Sequence, residues 1–484
     1  MSRLRRKPSK LATPSAPRQQ PENPHPLAVV PNRKKLAGKG LVRLTLWPLV
    51  AATFFMVSGG TYGTEDIVHG AGYGRAILIL LLTPLLWSLP TAFMIGELSS
   101  ALPYEGGYYA WVRRAMGSFW GFQEAWLSLV ASIFDMAIYP TLFVAYLTRM
   151  FPWFQQESRG WWVALAVVVA CAILNISGVK VVSLTSLWLF FALSAPFVAI
   201  VVLAPFKLGA LANAVTKPTT STVDILGGLL ICMWNYMGWD NASTIATEVE
   251  RPQRTYPRAM LVAVCIVALS YVLPFAAMWM TGLKATAWET GSWADIAGLL
   301  GGPLLRIGVV LGGIISAFGM FNALVMSYSR LPLAMAQDGM LPGVFAKLQK
   351  KSRAPWVAIL ALAACWAMCL GLGFARLVTL DILLYGFSLL LEFVALAVLR
   401  FREPNLPRPF RVPGGLFGAI AIGIPPMLLL GFSIIRSEHE QVWNMSSFAF
   451  GMILMAAGVV AYAVNHLLKP KGWASQVEKP EPAA

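Results

Sequence analysis

The sequence predicts an all-α integral membrane protein of about twelve transmembrane helices, arranged as a five-plus-five inverted repeat whose first and sixth helices are broken. Three observations carry that expectation. Only 12% of the 484 residues are charged and mean hydropathy is +0.65, where soluble domains carry about 25% charged residues. Apolar runs near the length a bilayer demands, about 20 residues, recur along the chain. Polar, glycine-bearing breaks interrupt the first and the sixth of these runs.

Residues 1–40 are Pro-rich and basic with almost no aromatic side chains, the composition of a disordered cytoplasmic tail. They offer no cleavable signal, because the first apolar run begins too late. Spans are expected at 41–69, 76–102, 119–147, 161–176, 186–204, 223–248, 259–281, 304–331, 356–372, 377–399, 416–435 and 442–467. Residues 41–400 then hold the ten-helix core, 401–468 two peripheral helices, and 469–484 a second cytoplasmic tail. With the N-terminus in the cytoplasm, 29 of the 38 Lys and Arg residues fall on inner segments and 9 on outer ones. That bias orients membrane proteins. It fits an even span count and two cytoplasmic termini in a plasma or inner membrane.

The same distribution disposes of a nucleic-acid reading of the net charge of +16, since the basic residues form short clusters between apolar runs and not one continuous patch. All five cysteines lie in apolar segments and read as small packing side chains; no metal-ligand spacing and no cofactor motif occurs. No His-Glu-x-x-His pair, Gly-x-Ser-x-Gly elbow or Walker lysine is present, which argues against a membrane-embedded enzyme and against ATP-driven pumping by this chain alone. Gly70-Ala71-Gly72-Tyr73-Gly74 lacks the preceding strand of a phosphate loop and reads as an outer loop. A channel would call for pore-lining rings, usually built by oligomers.

The first break is Ser58-Gly59-Gly60-Thr61-Tyr62-Gly63 and the second is Asn235-Tyr236-Met237-Gly238-Trp239-Asp240-Asn241. Each glycine costs a helix about 1 kcal/mol relative to alanine, and unwound backbone at membrane depth persists where it lines a cavity or is buried in protein. Matched breaks in corresponding spans point to the binding site of a carrier; the competing reading is that glycines let helices pack closely. The candidate substrate residues are Ser58, Gly59, Gly60, Thr61 and Gly63, with Trp234, Asn235, Tyr236, Trp239 and Asp240. Asp135 and Tyr139 join them, one turn apart on the third span.

A charge at the bilayer centre costs about 2.5 kcal/mol or more, so Asp135 either holds an ammonium, carries a coupling proton, or is a structural carboxylate bonded to a neighbouring helix. Asp240 either caps the half-helix after the break or takes part in function. Asp135, Asp240 and Glu124 are the proton-coupling candidates. Trp234, Tyr236 and Trp239 offer ring faces to a cation, worth about 2 kcal/mol when dry, or simply pack. Glu65 and Asp66 open the outer half of the first span, where acids favour the helix dipole. Glu97, Glu124, Glu248 and Glu392 lie near cytoplasmic span ends and are expected to pair with loop arginines.

Ser58-Gly59-Gly60, Gly63 and Glu65-Asp66 resemble the first helix of the amino acid–polyamine–organocation superfamily, and Gly238-Trp239-Asp240-Asn241 with Thr247-Glu248 and Pro252 its sixth. Gly121-Phe122-Gln123-Glu124, Asp135 and Tyr139-Pro140 are similar to the third helix of its polyamine-uptake branch, best known from plants. Gly339-Met340-Leu341-Pro342, Pro355-Trp356-Val357, Leu391-Glu392-Phe393 and Arg408-Pro409-Phe410 continue the likeness in order. The resemblance implies the LeuT-like inverted-repeat core, alternating access, amino acids or polyamines as substrates, and a proton as the common coupling ion. Met56 and Asn322 stand where that branch often has acids. An embedded fifth-helix lysine, found in some relatives, has its nearest counterpart at Lys180, near the cytoplasmic entrance, with Leu189 deeper. Fewer acids, and free N–H groups at a half-helix N-terminus that suit a carboxylate, favour an amino acid; the branch favours a polyamine.

Overall fold

Helix follows helix through the computed structural model, which describes residues 44–103, 106–178, 182–214, 224–243, 249–442 and 444–468, apart from the side chains of 182–189 and 468. Both expected tails, Lys180, Thr247 and Glu248 lie outside the described residues, and Leu189 sits on a described helix without a described side chain.

The first span is two helices, α1 (Leu46–Val57) and α2 (Glu65–Ala71), separated by the glycine stretch. A second span runs through α3 (Tyr73–Thr83), a π turn at Pro84–Ser88 and α4 (Leu89–Ala101). Then come α5 (Gly107–Met116), the long α6 (Ser118–Met150), α7 (Glu157–Ser177) and α8 (Val182–Leu203). After these, α9 (Ile225–Asn235) stops at the second break, and α10 (Pro252–Met280) and α11 (Trp293–Gln337) follow. The closing elements are α12 (Trp356–Met368), α13 (Phe374–Arg402), α14 (Gly415–Ala421), α15 (Ile424–His439) and α16 (Ser447–Leu468), with a two-residue hairpin between the last two.

Among the described residues, nine helical stretches are long and apolar enough to cross a membrane, and α1 and α12 are shorter apolar helices. The count falls below the expected twelve for a physical reason. The two breaks divide the first and sixth runs into pieces, and the ninth ends early because Cys369 closes α12. The expected eighth span begins sooner, at Trp293, and turns at Gly302, whose φ of 76° departs from the helix.

At the centre of the bundle α6 packs most extensively against α11 and α13. The two broken spans lie against this group and touch one another. Gly238 has φ +83°, and a Cβ there would stand 2.8 Å from the carbonyl oxygen of Met56. Asn235 Nδ2 donates to the Gly63 carbonyl at 3.3 Å. A bridge pairs Leu44 with Val249, and the Glu250 amide donates to the Leu44 carbonyl at 2.9 Å. The chain before α1 and the chain after the second break are thereby joined.

One end of the bundle is held by ion pairs to Glu97, which is wholly buried on α4. It accepts from Arg400 Nε at 2.9 Å and from the Val412 amide at 2.7 Å, and pairs with Arg408 at 3.2 Å. Arg113 pairs with Asp338 and Arg114 with Glu403 nearby. At the opposite end Arg149 holds Glu289 and Asp295. Removing one partner from a buried ion pair costs about 3–5 kcal/mol, because the remaining charges lose their compensation. Glu97→Ala is therefore expected to lower the thermal midpoint of the detergent-solubilised protein by many degrees; an unchanged midpoint would contradict this account of how the end is closed.

Candidate substrate site

Where the two breaks meet α6, α11 and α13 lies a narrow cleft with about 280 Å³ of empty space, open solvent included, of which about 10 Å³ is wide enough for a water molecule. Met56 and Val57 contribute from the end of α1, Trp234 from α9, and Met237, Gly238 and Asn241 from the second break. Asp135 and Tyr139 come from α6, Tyr328 from α11, and Asp381 and Tyr385 from α13.

The local sequence explains these placements. Asp135 and Tyr139 are four residues apart on α6, hence neighbours on one helix face, and the Tyr139 hydroxyl donates to Asp135 Oδ1 at 3.0 Å. Trp234 Nε1 reaches the same oxygen at 3.2 Å, and the Tyr328 hydroxyl reaches Oδ2 at 3.2 Å. Asp381 and Tyr385 repeat the four-residue spacing on α13. Here the tyrosine turns away from its own helix and donates to Asp240 Oδ1 at 2.6 Å. Asp381 keeps an oxygen with no hydrogen-bond partner. Asn241 accepts from Ser327 at 3.1 Å.

Asp135, Asp240 and Asp381 are 7%, 3% and 2% exposed. Among the described residues none of the three forms an ion pair, whereas the ion pairs of the bundle gather at its ends. Isolated charge in so dry a place is expensive, so the arrangement is one that a cation would complete.

The sequence candidates divide. Asp135, Tyr139 and Trp234 line the cavity, and Asp240 meets it through Tyr385. Ser58, Gly59, Gly60, Thr61 and Gly63 do not line it. Their backbone is engaged elsewhere: Ser58 Oγ accepts from the Gly60 amide, Ser316 donates to the Gly59 carbonyl at 2.5 Å, Trp293 donates to that of Thr61 at 3.1 Å, and Gly63 packs against Leu142 and Trp234. Asn235, Tyr236 and Trp239 bond to backbone carbonyls of Ile231, Leu80 and Tyr236 and close the break from behind. Asn322 accepts from Asn175 on α7, away from the cavity. Sequence reading missed Tyr328, Asp381 and Tyr385; the Asp-x-x-x-Tyr spacing shared by α6 and α13 was the available signal.

A second correction concerns the acids near span ends. Glu97 does pair with arginines, as expected. Glu124 instead accepts from Ser128 at 2.9 Å and Ser388 at 2.8 Å, and both oxygens of Glu392 lack a hydrogen-bond partner. Glu65 accepts from Tyr146 and from the Gly291 amide, and Asp66 from Thr290, so these first-turn acids of α2 also tie it to the loop before α11.

A profile of the amino acid permease family matches residues 50–466, most of the chain. The chain belongs to that family. Within it, this permease is similar to polyamine transporter RMV1 of Arabidopsis thaliana, 34% identical over 439 residues that cover 89% of this chain and 87% of that one. Polyamine transporter PUT1 of Oryza sativa is 34% identical over 422 residues, 86% and 78% of the two chains. A serine/threonine exchanger, SteT of Bacillus subtilis, is 24% identical over 87% of this permease and 94% of its own length. This permease is thus a multi-pass membrane transporter of the amino acid–polyamine–organocation superfamily, not an enzyme.

Gly238 offers a direct check on the cavity's geometry. Its left-handed backbone costs a residue with a Cβ about 1–2 kcal/mol, and the added atom meets Met56. Gly238→Ala is expected to lower the thermal midpoint and slow uptake together; wild-type values for both would show that the two breaks do not meet as described.

Proposed function

We propose that this permease is a secondary carrier of linear polyamines, moving them by alternating access and in company with protons. The observation that carries the reading is the pair of acids on the cavity wall, Asp135 and Asp381, with Asp240 behind Tyr385 and no basic side chain among the described residues that line the cavity. An amino acid brings one ammonium and one carboxylate and would leave the site's negative charge uncompensated. A diamine or triamine brings two or three positive charges and no negative one. Tyr139, Trp234, Tyr328 and Tyr385 supply hydroxyl acceptors and ring faces suited to ammonium groups. The names of the plant relatives point the same way.

In this reading the twelve spans are the nine long ones, α12, and the two broken runs, each counted as one. The first five and the next five form the inverted repeat, and α14 to α16 form two peripheral spans. The bias of the basic residues supports cytoplasmic termini, and in this reading the membrane is a plasma or inner membrane.

The test is uptake into proteoliposomes under an imposed pH gradient, with putrescine, spermidine, arginine and neutral amino acids compared. Spermidine or putrescine is expected to accumulate without competition from amino acids. Loss of a charged hydrogen-bond partner, about 1.5–3 kcal/mol, predicts that Asp135→Asn and Asp381→Asn each weaken polyamine binding by about tenfold to a hundredfold. Accumulation of amino acids with no competition from polyamines would overturn the reading.

A further inference from the structure

Beyond the cavity, α6 and α13 bring a second pair of acids together. Glu124 and Asp135 are eleven residues apart on α6, and Asp381 and Glu392 are eleven apart on α13. Eleven residues are three helical turns, so each helix presents both acids on one face, about 16 Å apart. Because the helices run antiparallel, the acids form two rungs: Asp135 with Asp381 at the cavity, and Glu124 with Glu392 deeper toward the Glu97 end.

The deeper rung has a character of its own. Glu124 and Glu392 are both 0% exposed. Glu124 Oε2 and both oxygens of Glu392 have no hydrogen-bond partner. Their charges interact with each other and with that of Asp240. Between the rungs the Ser128 and Ser388 hydroxyls touch at 2.8 Å, and both donate to Glu124.

Among the described residues, the titratable groups that interact with the rung are acidic or neutral. From α5 there is Tyr108; from the second break, Asp240; on α13 itself, Tyr385, all within electrostatic reach. The arginines of α5 are engaged with Asp338 and Glu403, and Glu97 of α4 with Arg400 and Arg408. Tyr328 of α11 turns to Asp135. On α16, Tyr462 packs on Phe119 and Phe122, and His466 stacks on Tyr462. Arg436 of α15 lies at the opposite end of the bundle, on Asp224 and Glu440. Two carboxylates whose charges interact in so dry a place are costly to keep both ionised, and a proton on either relieves the pair.

We infer that Glu124 and Glu392 form the site of the coupled proton, separate from the amine site. The inference rests on the polyamine reading of the cavity and assigns the coupling step to other residues. One carboxylate oxygen takes a proton from a hydronium ion on one face of the membrane, forming an O–H bond and leaving water. After the bundle reopens, that bond breaks and the proton passes to water on the other face. Ser388 of α13 donates to Glu124 of α6, so protonation of the deeper rung and amine binding at Asp135 and Asp381 bias the same α6–α13 contact.

The experiment compares two fluxes of spermidine in proteoliposomes holding the wild type, Glu124→Gln or Glu392→Gln: exchange at equal pH, and accumulation driven by a pH gradient. One proton per substrate and a gradient of one pH unit support about tenfold accumulation. Each variant is expected to exchange spermidine within about twofold of the wild-type rate and to lose the gradient-driven component. Exchange doubles as the check that the variants fold. A variant that exchanges and still accumulates with the gradient overturns the inference. So does one that binds spermidine as weakly as Asp135→Asn, since the rung would then belong to the amine site. A wild type that exchanges spermidine but ignores the gradient overturns the coupling site and leaves the polyamine reading standing; a wild type that takes no polyamine overturns both.

Discussion

A carboxylate that leaves water for a dry helix bundle loses hydration worth several kcal/mol, and this permease commits five of them between α6, α13 and the second break. The rest of the architecture is arranged around that cost. The basic residues that could neutralise these acids are held at the ends of the bundle by Glu97, Asp338, Glu403, Glu289 and Asp295. What donates to Asp135, Asp240 and Glu124 is hydroxyl and indole, groups that lower the cost of an ionised carboxylate without abolishing its charge. In the proposed reading, an ammonium ion would supply the compensation that these acids lack.

The broken spans serve the same end. An intact helix satisfies its own backbone and offers only side chains to its neighbours. By unwinding at Gly238, the second broken span brings main chain to within contact of Met56 and frees room beside Trp234 for the cavity. The first break is more tightly occupied. Its freed carbonyls at Gly59 and Thr61 are taken by Ser316 and Trp293 of α11, and its glycines pack beside the cavity without lining it.

This distinction shows how far the sequence could be read. Membrane class, the sites of both breaks and the family likeness were legible, because hydropathy, glycine spacing and ordered motifs are local signals. Asp135 and Tyr139 were legible for the same reason: a charge amid twenty apolar residues stands out. Asp381 has an equally apolar setting and was passed over, since its meaning depends on its facing Asp135 across a helix interface. Glu124 and Glu392 were assigned to arginine partners by proximity to loops; their real surroundings, Ser128, Ser388 and each other, follow from the antiparallel register of α6 and α13, which nothing in either segment announces. At Ser58–Gly63 the sequence does not reveal that α11 donates to the carbonyls of Gly59 and Thr61.

The short bridge between Leu44 and Val249 has a mechanical consequence. It fastens the root of α1 to the chain that leaves the second break, just before α10 begins. Two spans that are severed in their middles are therefore spliced at one end, and a tilt of either is handed to the other as by a yoke. Met56 before the first break and Gly238 inside the second meet in the cavity beyond that splice, so a shift of Leu44 would be felt on both walls.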